Sequence, residues 1–257
     1  MIAKITLLTC LSLSIFYPFC FLLNVNEPLK QKFHHFHIGM PIVTGGVLAF
    51  FIGNADYSTV SKLLFFTWYI SLFLVGIFNW KKDYLDARLT FTANVIGLLA
   101  FASIISEVVG GGFLKFIIST ISALIYCASL YAMNLGHWYL NVHGLPIKHL
   151  RNAAHSLWVV LAIRLIWDIC FILSAKVLYL DENIRLLDFM LQMDGFLLWV
   201  AVFFGTIFPI IALFFVNEIL KLKNTQATTG ILYVLLSAIL LGDIAYKYYL
   251  IKYGIVL

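Results

Sequence analysis

Four ionisable residues stand where so apolar a chain needs a reason to carry them. Arg164 and Asp168 interrupt one long apolar run, four positions apart, and Asp243 and Lys247 interrupt the last run in the same way. On an α-helix, residues i and i+4 share a face, so each acid can pair with its base. An ionised group in hydrocarbon costs roughly 2.5–3.5 kcal/mol on insertion scales. An inward-facing Arg164 could anchor a carboxylate, a propionate or a phosphate. The alternative is an ion pair that only joins helices. Lys247 has a local acid partner, and Tyr248 and Tyr249 behind it mark an interface, which argues against a retinal-type Schiff base. Other acids read more simply. Asp194 falls in a first helical turn, where an acid suits the helix dipole. Glu107 ends a run and can reach the interface. Asn217 and Glu218 close a run, with Lys221 and Lys223 to offset the acid.

The seven histidines fall into two groups. His34, His35 and His37 precede one apolar run; His137, His143, His149 and His155 lie between two later ones. Three chemistries compete. Neutral imidazole ligates metals and haem iron, and His137, His155 and one of His35 or His37 would be the ligands. The same groups could relay protons beside a quinone or substrate pocket. They could also be interfacial residues with polar tips at the headgroups. His34-His35-x-His37 is a weak metal signature, because its side chains diverge on any regular element. Residues Gly136 to Pro146 concentrate His137, Trp138, Tyr139, Asn141 and His143, either as the rim of a cofactor or substrate site or as an aromatic anchor before an ordered loop. Gly39-Met40-Pro41 and Gly144-Leu145-Pro146 echo each other faintly, too briefly for a duplication.

The elements that must position these residues follow from composition. The chain has 257 residues, 63% of them hydrophobic and 11% charged, against roughly 45–50% and 25% in soluble domains. Mean hydropathy is +0.99. Too few charges remain to solvate a surface, which excludes a soluble enzyme, a disordered chain and a disulfide module. Nucleic acid is an unlikely partner despite the net charge of +5; the expected partner is the lipid bilayer. Runs near 20 residues cross a ~30 Å hydrocarbon core. Eight occur: Ile5–Leu23, Ile38–Asn54, Leu63–Asn79, Thr92–Val109, Phe113–Asn134, Ala153–Ser174, Met193–Val216 and Gly230–Tyr249. The expectation is an all-α polytopic transmembrane helix bundle over residues 1–257, one integral membrane domain with short loops and no soluble part. Seven spans remain an alternative, because 38–54 opens with Gly39 and Pro41, carries Gly45-Gly46 and could turn back. Lys4 ahead of residues 5–23 follows the order of a signal peptide, but the stretch is long for its apolar core and lacks a small-residue cleavage site, so it is read as a retained helix.

Eight spans put both histidine groups at one membrane face. Lysines and arginines of the loops divide nine on that face against seven on the other, which leaves orientation open. Trp68, Trp80, Trp138 and Trp199 are expected near span ends as an aromatic belt. Cys10, Cys20, Cys127 and Cys170 read as packing residues. Thr228 or Thr229 is expected to cap the last helix. Phosphate-loop, dinucleotide, HExxH, GxSxG and covalent c-type haem motifs are missing.

Three functions follow. The leading expectation is a redox- or cofactor-associated membrane protein, with haem, a metal or a quinone at His35, His37, His137, His143, His155 and Trp138, and with Arg164 against an acidic cofactor group. Its setting would be a respiratory or other membrane complex, in a bacterial inner membrane. The second is a transporter of a small solute or ion, with Arg164, Asp168, Asp194 and Asp243 along a polar pathway and a helix broken at Gly45-Gly46. The third is a structural or assembly subunit without chemistry.

Overall fold

The computed structural model describes residues 1–24, 33–82, 85–142 and 144–257. It is an all-α bundle with eight helices long and apolar enough to cross a membrane. In hydrocarbon every backbone N–H and C=O must be satisfied within its own segment, so helices are the only open-chain solution. The crossings are α1 (Ile2–Phe16, extended by a 3₁₀ turn Tyr17–Asn24), α2 (Phe33–Asn54), α3 (Thr59–Asn79), α4 (Ala87–Val109), α5 (Phe113–Asn141) and α6 (Lys148–Ser174). A seventh crossing follows at Met193–Lys221, and α10 (Thr225–Tyr253) is the eighth. The integral membrane character of the chain rests on these eight helices.

Several helices run past the expected apolar limits. The second starts at Phe33, so His34, His35 and His37 lie on α2 and not in a loop before it. His137 lies on α5, and His149 and His155 on α6. Polar side chains do not stop a helix whose backbone bonds are already closed internally. Starts are set by local caps. Ser58 accepts from the Ser61 amide at 3.2 Å, and Asp86 accepts from the Arg88 and Leu89 amides at 2.9 and 3.2 Å. The last helix begins at Thr225 with Asn224 as its cap, accepting from Ala227 N at 3.0 Å. Thr228 and Thr229 therefore lie inside the helix.

Two further differences concern breaks. Helix α2 passes unbroken through Gly45-Gly46, where Tyr69 of α3 packs against both glycines. The interrupted helix is the seventh crossing: a 3₁₀ turn at Met193–Gly195, α8 (Phe196–Val202), a π-helical turn at Phe203–Ile207, then α9 (Phe208–Lys221). Gly205 in that turn lies against Gly242 of α10. A Cβ on Gly242 would come 2.2 Å from the Gly205 nitrogen, so the two backbones touch as closely as small residues permit.

Helices α5 and α10 pack together at the centre, α1 packs on α2, α4 and α5, and α9 packs on α6 and α10. Between Ser174 and Met193 stands a short antiparallel hairpin, β1 (Lys176–Tyr179) with β2 (Glu182–Arg185), followed by α7 (Leu186–Met190). Its turn uses Leu180 and Asp181 at φ 51° and 66°. Leucine is a poor residue for that conformation, so the turn sends no glycine signal in the sequence. This hairpin covers the end of the bundle opposite the histidines, where Phe189, Leu198, Tyr249 and Ile255 form a second core. Trp68 lies fully buried in the middle of α3 rather than in an interfacial belt.

Candidate functional site

The polar residues that converge do so inside the bundle, around Arg164. Arg164 and Asp243 each precede the last residue of their helix by ten positions, roughly 15 Å at 1.5 Å per residue. They therefore lie at one depth, well within hydrocarbon. Both members of the first pair are 1% exposed, and Arg164 Nε donates to Asp168 Oδ1 at 2.9 Å. Arg164 Nη1 donates to Ser122 Oγ on α5 at 2.7 Å. Asp168 Oδ2 accepts from Thr206 Oγ1 of the π-helical turn and from Tyr246 Oη of α10, both at 2.7 Å. The Tyr246 ring lies under the guanidinium at 3.9 Å, a cation–π contact. The Gly205–Gly242 approach lets the π-helical turn bring Thr206 this close to α10.

The second pair belongs to α10. Lys247 Nζ donates to Asp243 Oδ2 and, at 3.1 Å, to Thr9 Oγ1 of α1. Cys10, Tyr126 and Cys127 lie within electrostatic reach of this pair. Among the described residues, two atoms of the four charged side chains have no protein partner, Arg164 Nη2 and Asp243 Oδ1, both buried, and Ser119 Oγ nearby on α5 has none either. Arg164 and Asp243 line one cavity of about 10 Å³, with Ser122, Gly205 and Tyr246 in its wall. A second cavity of about 10 Å³ is lined by Lys247, Ser12 and Ser119, and Ser122 and Tyr246 line both. Each volume is about that of one water molecule. Through these shared walls the two ion pairs form one polar string across α1, α5, α6, the seventh crossing and α10. Its four charges sum to zero.

Chemically, the string offers buried donors and acceptors beside two ion pairs. A carboxylate with one free oxygen beside a guanidinium with one free N–H also suits a bridging water or a small hydrogen-bonding guest.

The remaining predicted residues lie elsewhere. Asp194 accepts from Tyr179 Oη at 3.0 Å on the hairpin side. Glu218 forms an exposed pair with Lys221 at 2.6 Å. The histidines share one end of the bundle but have separate partners. His37 Nδ1 is 2.5 Å from Tyr17 Oη, which also accepts from Asn134 Nδ2 at 3.1 Å. Phe33, Tyr131 and Trp138 surround that chain. His35 stacks on Trp80, and its Nε2 is 2.6 Å from the Trp80 carbonyl. His137 Nδ1 is 3.2 Å from Tyr233 Oη. His155 is exposed on α6, and His143 lies outside the described residues. Among the described residues, no three His, Cys, Asp or Glu side chains are placed to share a metal ion.

Sequence reasoning missed Ser122, Thr206 and Tyr246. The one available signal was a hydroxyl in each apolar run, and such hydroxyls are common. Glu107 proved to be a tie between helices: its carboxylate accepts from Ser58 N at 3.0 Å and from Ser58 Oγ at 2.7 Å, joining the end of α4 to the start of α3. No family model, no curated protein sequence and no solved structure matches this chain.

Proposed function

We propose that this membrane protein is a proton-coupled transporter of a small anionic solute, with Asp243 as the group that takes up and releases the proton. The observation that carries the reading is that Arg164 and Asp243 line one cavity and that each has a buried atom without a partner, Nη2 and Oδ1. A purely structural ion pair in hydrocarbon is expected to satisfy every donor and acceptor, because each unsatisfied one costs free energy. Here one donor and one acceptor from different pairs belong to residues that line the same cavity.

The charge balance suggests the coupling. With all four groups ionised the string is neutral. A proton on Asp243 removes one negative charge and leaves Arg164 and Lys247 facing Asp168 alone. One buried positive charge is then unbalanced, and an anion restores neutrality. The anion would meet Arg164, whose planar donor fork suits carboxylate and phosphate oxygens. Cavities of about 10 Å³ admit a proton or a water and no solute, as in an occluded state of alternating access. The π-helical turn and the Gly205–Gly242 contact are where the seventh crossing can bend or slide, since irregular turns of this kind recur at functional sites.

The test uses proteoliposomes with an imposed inward proton gradient, a trapped pH dye and a panel of small carboxylates and inorganic anions. Uptake with co-entry of protons is expected for at least one anion. Asp243→Asn, alone and with Lys247→Met to keep the string neutral, should remove the pH dependence. Uptake that ignores the gradient, or a pH dependence that survives both variants, overturns the reading.

A further inference from the structure

A separate surface feature lies at the histidine end, between α2 and α3. A groove of about 590 Å³ is walled by Ile42, Phe73, Gly76, Ile77 and Trp80, with Lys81 at its mouth. That volume falls within the roughly 300–1,000 Å³ of small-molecule sites. The groove exists because Gly76 has no side chain; a Cβ there would meet Ile42 Cδ1 at 2.7 Å. Its rim is held in place. The Trp80 ring stacks on His35 at 4.2 Å and 3°, and the Trp80 carbonyl is bound by His35 Nε2.

The wall is apolar and faces outward, so apolar contact alone would accept any acyl chain. Charge at the mouth makes the difference. Lys81 and Lys82 are exposed, and neither has an acidic partner among the described residues. Asp86 nearby is engaged in capping α4. An indole beside two exposed cations at a helix end is the arrangement that meets a headgroup phosphate at the interface.

We propose that this groove is a binding site for an anionic glycerophospholipid, one acyl chain along Ile42, Phe73 and Ile77 and the phosphate on Lys81 and Lys82. His35 acts as a positioning residue by fixing Trp80. The site is independent of the buried charge string, so either can fail alone.

The test is quenching of Trp80 fluorescence by brominated lipid in vesicles, read as the difference between wild type and Trp80→Phe. Brominated phosphatidylglycerol is compared with brominated phosphatidylcholine at equal mole fraction. A preference for phosphatidylglycerol of about fivefold per lysine is expected, which corresponds to about 1 kcal/mol each. It should fall to within about twofold in Lys81→Gln/Lys82→Gln, whose two exposed changes leave the fold intact as checked by thermal unfolding. Equal quenching by both lipids in wild type would reduce the groove to a generic acyl contact and overturn the proposal. A preference that survives the double variant would overturn its assignment to these lysines.

Discussion

Removing Arg164 alone should be among the most damaging single changes in the protein, and removing it together with Asp168 should be much less so. In Arg164→Leu the Asp168 carboxylate stays 1% exposed with only Thr206 and Tyr246 to solvate it. An ionised acid left without its counter-ion at that depth costs about 3–5 kcal/mol. In Arg164→Leu/Asp168→Leu no buried charge of this pair remains. The loss is then three side-chain hydrogen bonds, to Ser122, Thr206 and Tyr246, at about 0.6 kcal/mol each as measured in membrane bundles. Thr206 and Tyr246, 3.0 Å apart, can still bond to each other. The double variant should therefore be more stable than the single one by at least about 1 kcal/mol, a strongly non-additive cycle. The assay is reversible unfolding in mixed micelles titrated with a denaturing detergent, with both single variants and the double. A cost below about 1 kcal/mol for Arg164→Leu, or additivity of the two single changes, would refute the buried pairing. Under the proposed function, anion uptake should be lost in all three variants, which separates the role of the charges from their effect on stability.

Further outcomes can be checked in the same preparation. Gly242→Ala places a methyl 2.2 Å from the Gly205 backbone, so it should cost at least the roughly 1–3 kcal/mol of core overpacking. Gly230→Ala, with nothing within 4 Å, should leave thermal stability unchanged or raise it by about 0.5–1 kcal/mol. Tyr17→Phe removes the hydroxyl shared by His37 and Asn134 and should cost about 1 kcal/mol; a matching Asn134→Ala change should add little to it, as thermal unfolding of the three variants would reveal. In the hairpin segment, the Arg185 side chain bonds both Asp188 oxygens and holds that carboxyl below its ordinary value. A depressed acid contributes stability above its unfolded pKa of about 3.9 and loses it as pH falls through the folded value. Carbon-13 titration of Asp188 should therefore move up toward the ordinary value in Arg185→Gln; an unmoved midpoint would show that the bond does not form in solution.

Much of this protein is already present in one-dimensional quantities. Sixty-three per cent apolar residues with 11% charged call for a bilayer as solvent, and run length points to eight crossings, with 38–54 left open until the structure shows eight helices long and apolar enough to cross. The i, i+4 spacing likewise requires Arg164 to share a face with Asp168, and Asp243 with Lys247, because 3.6 residues make a turn whatever the surroundings. Helix ends were less legible. Hydropathy places His34, His35 and His37 ahead of the second run, because it reports where hydrocarbon ends, whereas a helix ends where its caps do.

What only the tertiary structure decided is which faces meet. Helix rotation is set by ridges, glycines and hydroxyls on different crossings, and none of these correlates along the chain. The histidines share an end by topology, yet their rings turn to Tyr17, Trp80 and Tyr233 and not to one another. Ser122, Thr206 and Tyr246 are ordinary residues in apolar runs until packing sets Ser122 on the Arg164 guanidinium and the contact between Gly205 and Gly242 sets Thr206 and Tyr246 on the Asp168 carboxylate. Local charge pairing is a property of the helix and can be read from spacing. The meeting of two such pairs at one cavity depends on packing across residues far apart in the chain, and there the physics lies in three dimensions alone.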